Sequence, residues 1–229
     1  MRRPPNLSII HADALEELQQ IESASIDLCL TDPPYVIGAV SHGNMTSKSG
    51  GWGDMMNSSR WFRNWYAMVR RALKPTGAMW TFTNWRSLPV VMKAASDLGW
   101  PVTSVLVWDK DWIGPGGPVG LRPSYELVVL MAMPEFRIPN RSLPDIRTVK
   151  WSAYEPTGHP AEKPVALLEW IIRESLPGGG LILDPFCGSG STLVAAGLAG
   201  CDAIGIEQED RWVDIARERL SKVADDGNA

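Results

Sequence analysis

The segment Leu181–Thr192 reads LILDPFCGSGST, and it decides the fold. Its first three residues predict a short buried strand, Asp184–Gly190 predicts a glycine-rich turn, and Ser191 opens a helix. Glycines let a backbone approach a ligand closely, and the amide groups at a helix N-terminus attract phosphates or carboxylates. The spacing matches neither GxGxxG nor a P-loop. From these residues alone, a nucleotide-type site and an ordinary tight turn are both open.

The same succession of strand and helix repeats along the whole chain. Apolar strands that alternate with helices are typical of a parallel sheet buried on both faces. The sequence therefore predicts a Rossmann-like, doubly wound α/β fold, with a mostly parallel seven-stranded sheet and helices on both faces. The predicted strands are Leu7–His11, Ile26–Thr31, Ala78–Thr83, Val102–Trp108, Glu126–Met131, Leu181–Leu183 and Asp202–Ile206. The predicted helices are Ala14–Ile21, one from Ser58 or Ser59 to about Leu73, Ser87–Leu98, Ala161–Leu176, Ser191–Ala199 and Asp210–Val223.

The composition excludes several classes of protein. The chain has 229 residues, which suits one large α/β domain. No apolar run reaches the ~18 residues of a membrane span, so we expect no membrane association and a cytoplasmic protein. The three cysteines lie far apart without a CxxC spacing, and we expect no metal site.

The net charge and the local distribution of charge differ in what they indicate about nucleic-acid binding. The net charge of −4 does not indicate a nucleic-acid-binding protein. The irregular stretch 134–158, however, concentrates basic side chains. Such a group is either a solvated face or a footprint for DNA, and charge alone does not separate the two. Its basic members are Arg137, Arg141, Arg147 and Lys150.

An acidic residue ends the strand that follows the glycine turn. Glu207 lies 17 residues after Gly190, near the separation at which doubly wound folds place an acid that accepts hydrogen bonds from a ribose. The alternative is a surface acid at the start of a helix. The glycine turn before it favours the ribose role.

The segment Thr31–Tyr35 reads TDPPY and follows a buried strand. Open α/β sheets bind their ligands at such strand ends. Pro33 and Pro34 fix the backbone and remove two N–H donors, which leaves rigid carbonyl acceptors beside the Asp32 carboxylate. A carboxylate and a fixed carbonyl suit an –NH2 group, and Tyr35 can stack on a planar base. As an isolated string, DPPY is often only a rigid turn.

Taken in order, these segments resemble the β-class DNA amino-methyltransferases. DPPY comes first at 32–35, a basic irregular stretch follows at about 134–158, and the glycine turn DPFCGSGST comes last at 184–192. His159–Pro164 (HPAEKP) is similar to the family's HPxxKP segment. Leu73–Gly77 (LKPTG) and His11–Leu15 (HADAL) resemble the family's LKPGG and GDxL turns, and Thr76 replaces a glycine. The resemblance covers nearly the whole chain.

The resemblance implies a methyltransferase sheet, S-adenosyl-L-methionine as the cofactor, and a role for each motif residue. Asp32, Pro33, Pro34 and Tyr35 would be catalytic, and the basic residues 137, 141, 147 and 150 would bind DNA. Glu207 would hold the ribose, and Lys163 would neutralise the cofactor carboxylate unless it is simply a surface lysine. The implied cofactor-binding residues are Asp13, Ala14, His159, Lys163, Pro164, Asp184, Phe186, Cys187, Gly188, Ser189, Gly190, Ser191, Thr192 and Glu207.

The resemblance also implies how the chain is divided and what it acts on. Residues 1–133 would form the catalytic half of the domain, 134–158 a small target-recognition insert, and 159–229 the cofactor half. The expected partners are double-stranded DNA, a second copy of the chain and a cognate restriction enzyme. A base inside a duplex is out of reach, so it would flip out before direct methyl transfer. The loop Gly38–Asn57 is a candidate lid over that base, or else a linker without a role.

Several activities compete with N6-adenine methylation of DNA. An N4-cytosine enzyme uses the same acceptors, although many carry Ser in place of Asp32, so Asp32 favours adenine. An RNA adenine methyltransferase and a non-catalytic DNA-binding relative are further alternatives, and the latter should have lost DPPY or the glycine turn. A protein amide methyltransferase usually has Asn before the prolines. A cytosine C5 enzyme needs a thiol in a Pro-Cys setting, and no cysteine here is so placed.

Overall fold

A computed structural model describes residues 3–34, 52–114, 119–151, 157–158 and 161–226. These residues form eight strands and six helices. The strands are β1 (Leu7–His11), β2 (Ile26–Thr31), β3 (Leu73–Thr83), β4 (Ser104–Asp109), β5 (Tyr125–Ala132), β6 (Ile146–Thr148), β7 (Leu181–Asp184) and β8 (Asp202–Glu207). The helices are α1 (Ala14–Leu18), α2 (Trp52–Ala72), α3 (Leu88–Asp97), α4 (Val165–Ser175), α5 (Ser191–Leu198) and α6 (Asp210–Asp226).

One open sheet holds all eight strands, in the order β1-β8-β7-β2-β3-β5-β4-β6. Strand β5 is antiparallel to both of its neighbours, and every other neighbouring pair is parallel. Seven strands therefore point the same way. We call the end at which they finish the carboxyl edge; the reversed strand β5 begins there. The predicted mostly parallel α/β fold is confirmed.

Alternation along the central strand explains how both faces of the sheet are covered. Leu28 and Leu30 point to a core shared with α4 and α5, whereas Cys29, between them, points to a core shared with α2 and α3. All three side chains are fully buried. A strand buried on both faces must be apolar at successive positions, which is why β2 lacks a polar alternation.

The sheet has one strand more than predicted, at the edge of the fold. Strand β6 lies inside the stretch 134–158 and pairs with β4 through Val107 and Ile146. All three of its residues are exposed. Its sequence therefore has no buried alternation that could reveal a strand.

Three of the predicted boundaries that differ from the structure are of interest for the site or have a clear physical reason. Helix α2 already begins at Trp52, so the predicted loop Gly38–Asn57 is helical at its end, and its residues before Trp52 lie outside the described residues. Strand β3 begins at Leu73, because Leu73 pairs with Ile26 and the Lys74 ammonium binds Asp27 at 2.8 Å. Helix α4 begins after Pro164, since a residue that precedes proline is disfavoured in a helix.

In the part of the chain that the structure describes, no helix is long and apolar enough to cross a membrane. Within the same ranges, no cluster of three His, Cys, Asp or Glu side chains could hold a metal ion.

Candidate active site

A cavity of about 570 Å³ opens at the carboxyl edge. Five segments that are far apart in sequence form most of its wall: the turn after β1, the end of β2, residues 161–163, the turn after β7 with the start of α5, and the end of β8 with the residues that follow it. They meet because β1, β8, β7 and β2 are successive neighbours in the sheet. The cavity therefore lies where doubly wound folds bind ligands, outside the carboxyl ends of the strands.

The glycine turn between β7 and α5 forms the floor of the cavity. Gly188 and Gly190 have φ values of +49° and +83°, which side-chain-bearing residues rarely adopt. A Cβ atom on Gly190 would also lie 2.9 Å from the Ala216 Cβ. The turn thus needs both glycines to present backbone rather than side chains. Gly188 lines the cavity together with Asp184, Phe186, Cys187, Ser189, Ser191 and Thr192, whereas Gly190 is not among its lining residues.

Glu207, at the end of β8, is bound to this turn. Its Oε2 accepts a hydrogen bond from the Gly188 N–H at 2.9 Å, and its Oε1 accepts from the backbone N–H groups of Gln208 and Glu209 at 2.8 Å. The carboxylate therefore faces the cavity in a fixed orientation. The predicted acid lines the cavity, and it also shapes the turn.

The segment between β1 and α1 is short, and the helix that follows it is well capped. The Asp13 Oδ1 accepts hydrogen bonds from the N–H groups of Leu15 and Glu16, and so it caps α1. Asp13 and Ala14 both line the cavity. Because its Oδ1 already holds α1, the side chain is anchored beside the β1–β8 pair.

Asp184 joins the two halves of the site. Its Oδ1 accepts hydrogen bonds from the Thr31 hydroxyl at 2.6 Å and from the Phe186 N–H at 3.1 Å. Burial raises the pKa of Asp184 to about 6, and the hydrogen bonds from Thr31 and Thr192 work in the opposite direction. Thr31 directly precedes the Asp-Pro-Pro segment, so one hydrogen bond ties that segment to the glycine turn.

Asp32, Pro33 and Pro34 line the cavity, and Tyr35 lies outside the described residues. The Asp32 carboxylate forms an ion pair with the Lys163 ammonium. Lys163 also donates to the Ala161 carbonyl at 3.2 Å and lies 3.4 Å from a carboxylate oxygen of Glu126. The structure thus places Lys163 against the predicted acceptor, and its side chain is only 8 % exposed.

The segment that carries Lys163 is clamped by the last helix. The Glu162 carboxylate binds the Arg219 guanidinium at 2.6 Å and accepts from the Ser191 hydroxyl at 3.0 Å. The same guanidinium nitrogen of Arg219 donates to the Ser189 carbonyl at 2.9 Å. Helix α6 therefore fixes the wall segment against the glycine turn. Pro164 caps α4 behind this wall, and His159 lies outside the described residues.

The four predicted DNA-binding residues do not form one cluster. Arg137 follows a turn whose backbone bonds the first residues of β3, and so it lies at the edge of the sheet opposite to Asp32. Arg147, on β6, stacks over the Trp170 ring at 4.9 Å. Arg141 and Lys150 are exposed, and Lys150 lies just beyond β6 at the carboxyl edge.

Sequence reasoning missed several residues that shape the site. Trp61, on α2, lines the cavity and packs on Phe186 with ring centroids 5.7 Å apart. Lys110 and Glu126 pair behind Lys163, and Arg219 clamps the wall. None of these belongs to a motif. Tertiary packing brings them to the cavity or to the layer behind it, so no local pattern could have revealed them.

Comparisons with known proteins agree on one family. Residues 26–218 match a family model described as DNA methylase, for N6 and N4 methyltransferases. A putative methylase of Escherichia coli K12, YubD, is 31 % identical over 214 residues, which cover 93 % of this chain and 90 % of that protein. The M1.HpyAVI–SAM complex is similar with a TM-score of 0.71 and 25 % identity, over 93 % of this chain and 98 % of the other. The cytosine-N4-specific PvuII DNA methyltransferase shares the fold, with a TM-score of 0.76 and 19 % identity over 98 % and 93 % of the two chains.

Proposed function

Because the chain belongs to the N6/N4 family of DNA methylases, we propose that it methylates the N6 amino group of adenine in a short DNA site. The protein is an S-adenosylmethionine-dependent DNA methyltransferase. The observation that carries the finer proposal is the position of Asp32, an acid at the carboxyl edge, within the same cavity as the glycine turn.

The cavity residues fit S-adenosylmethionine. Glu207 offers a carboxylate to ribose hydroxyls, and the glycine turn offers close-approaching backbone at the start of α5. The segment 161–163 forms the opposite wall. The predicted contact of His159 with the cofactor stays part of the proposal, since His159 lies outside the described residues. When bound, the cofactor supplies an electrophilic methyl group.

Asp32 and the Pro33 carbonyl would accept hydrogen bonds from the two N–H groups of the target amino group. Hydrogen bonds from both N–H groups draw the nitrogen lone pair out of conjugation with the ring and fix its direction. Pro33 and Pro34 lack N–H groups, so no amide of their own competes for these acceptors. Tyr35 would stack on the flipped base. Rate enhancement then comes from positioning and fixed dipoles, in a site whose acceptors are anchored before the base arrives.

The choice of adenine over cytosine is supported by the residue at position 32. Asp32 is a full carboxylate in a place where many N4-cytosine enzymes carry serine. The decisive experiment is expression in a methylation-deficient host, followed by sequencing that distinguishes modified bases. We expect N6-methyladenine at one short motif. N4-methylcytosine at a motif would contradict the adenine proposal, and unmodified DNA with methylated RNA would contradict the choice of DNA.

We further propose the division into residues 1–133, 134–158 and 159–229, with Arg137, Arg141, Arg147 and Lys150 contacting DNA phosphates. The recognition stretch is short and reads few base pairs, so we propose that two copies act together on DNA. Sedimentation is expected to show a dimer, at least with DNA present. A strict monomer under both conditions would contradict this. A cognate restriction enzyme as partner and action in the cytoplasm complete the proposal.

A further inference from the structure

Four charged side chains of alternating sign lie in a row behind the cavity. Each side chain is at most one-fifth exposed. The Lys163 ammonium binds the Asp32 carboxylate and lies 3.4 Å from Glu126 Oε2, and the other Glu126 oxygen, Oε1, is 2.5 Å from the Lys110 ammonium. In order, the row is Asp32, Lys163, Glu126 and Lys110.

Glu126 reaches this place because β5 is the reversed strand. It is the second residue of β5, which begins at the carboxyl edge, and it pairs there with Trp108 of β4. Lys110 follows directly after β4. The β4–β5 pair therefore delivers both charges to the back of the site. Glu126 itself does not line the cavity.

One carboxylate oxygen of Glu126 is buried and poorly bonded. Its Oε2 atom is buried, and among the described residues it accepts no well-aligned hydrogen bond. A buried acceptor without a partner is unfavourable unless a cation lies close. The Lys163 ammonium, at 3.4 Å, is within ion-pair distance but lies closer to Asp32. Lys163 thus lies between two carboxylates, one bound closely and one within a short movement.

Lys163 and Glu126 both carry their charges at neutral pH. Burial alone would lower the pKa of Lys163, but the carboxylates of Asp32 and Glu126 outweigh it and raise that pKa above its usual value. Burial alone would raise the pKa of Glu126, but Lys163 and Lys110 bring it below its usual value. The lysine is therefore an ammonium ion and the glutamate a carboxylate.

We propose that Glu126 is a positioning residue that receives the Lys163 ammonium when a target base enters, so that Asp32 can accept the base's amino N–H. This rests on the proposed role of Asp32 as the acceptor. The Lys163 ammonium now binds Oδ2 of Asp32, so it occupies part of the carboxylate that the amino group would use. A movement of under about 1 Å brings Lys163 within an ordinary charge-assisted hydrogen bond of Glu126.

Without Glu126, that movement would leave a buried ammonium ion without a second carboxylate. Removing one partner of a buried ion pair is strongly unfavourable, because the remaining charge is not compensated. Lys163 would then stay on Asp32 and compete with the base. Lys110 holds Glu126 in its orientation and balances its charge, so the whole row stays neutral before and after the movement.

The test is a double-mutant cycle of Glu126→Gln and Lys163→Met, assayed for kcat and for KM with DNA. If Glu126 acts through Lys163, Glu126→Gln alone lowers kcat/KM by roughly 10- to 100-fold and leaves cofactor affinity within about threefold. In the Lys163→Met background, the same change has no further effect. Glu126→Asp, which keeps the charge, recovers part of the activity.

The matched control is Glu169→Gln on α4, which also removes a glutamate from an ion pair, with Arg173, away from the cavity. It should leave kcat/KM unchanged. Effects of Glu126→Gln and Lys163→Met that simply multiply would overturn the proposal, as would full activity of a folded Glu126→Gln protein. If Glu126→Gln does not fold, Glu126→Asp tests the same coupling with Lys163→Met.

Asp32→Ala, assayed in parallel, separates this inference from the proposed function. Turnover by Asp32→Ala would contradict the acceptor role and the inference together. An inactive Asp32→Ala protein alongside a fully active Glu126→Gln protein would overturn the inference alone.

Discussion

At the scale of single residues, Asp184 shows how one buried acid serves two segments. It accepts from Thr31, next to the proposed catalytic acid, and from Phe186 in the glycine turn. Burial raises its pKa to about 6. The side chain is therefore mostly ionised at neutral pH, although its buried surroundings disfavour the charged form. The molecule thus keeps a charge in a buried place beside the cavity, where a cationic ligand would gain from it.

Asp184→Asn should change how stability depends on pH. A carboxyl whose pKa is raised on folding binds its proton more tightly in the folded state, so the wild type loses stability as pH rises through about 4 to 6. The loss is complete above about pH 7 and amounts to about 3 kcal/mol. Asp184→Asn stays neutral and lacks this loss. Its free energy of unfolding, relative to wild type, should therefore increase across that window.

Urea denaturation of both cofactor-free proteins at several pH values measures this difference. Other titrating groups are common to both proteins and cancel. A difference in unfolding free energy that is constant between pH 4 and pH 8 would contradict the raised pKa of Asp184.

At the scale of elements, the last helix acts as a clamp on the active site. Arg219, on α6, joins Glu162 of the wall segment to Ser189 of the glycine turn. The Glu162 side chain is 2 % exposed, and among the described residues Arg219 is the cation that pairs with it. Helix α6 thus holds two parts of the cavity wall together without being part of any recognisable motif.

Arg219→Met should destabilise the protein and lower its affinity for S-adenosylmethionine. Loss of one partner from a buried ion pair is expected to lower the unfolding free energy by about 3 kcal/mol. The matched control is Arg217→Met on the same helix, whose pair with Asp214 is exposed and is worth under about 1 kcal/mol. Thermal unfolding and calorimetric titration of the cofactor measure both effects. Equal behaviour of the two variants would show that the clamp has no role.

The same scale shows what the sequence could and could not predict. Strands β1, β2 and β8 and the glycine turn were predictable, because continuous apolar runs and glycines leave a local pattern. Strand β6 was not, since an exposed edge strand of three residues has none. Glu126 and Arg219 were not either, because their roles come from a reversed strand and a distant helix. Local pattern reveals segments, whereas sheet order decides which segments meet.

At the scale of the whole molecule, sheet order brings two distant halves of the chain into one site. Strands β2 and β7 pair directly, through Leu28 with Ile182 and Cys29 with Leu183. Their ends carry Asp32 and Asp184, which both line the cavity. The proposed acceptor site and the proposed cofactor site therefore share one wall. This adjacency is what direct transfer between two bound molecules requires.

The most direct test of this account is methyl transfer by Asp32→Ala, measured as incorporation of labelled methyl groups from S-adenosylmethionine into DNA carrying the recognised site. Cofactor affinity is measured on the same protein by calorimetry. The account predicts that transfer is abolished, while cofactor affinity stays within about an order of magnitude of wild type, since Asp32 acts on the amino group. Turnover retained by Asp32→Ala would contradict it.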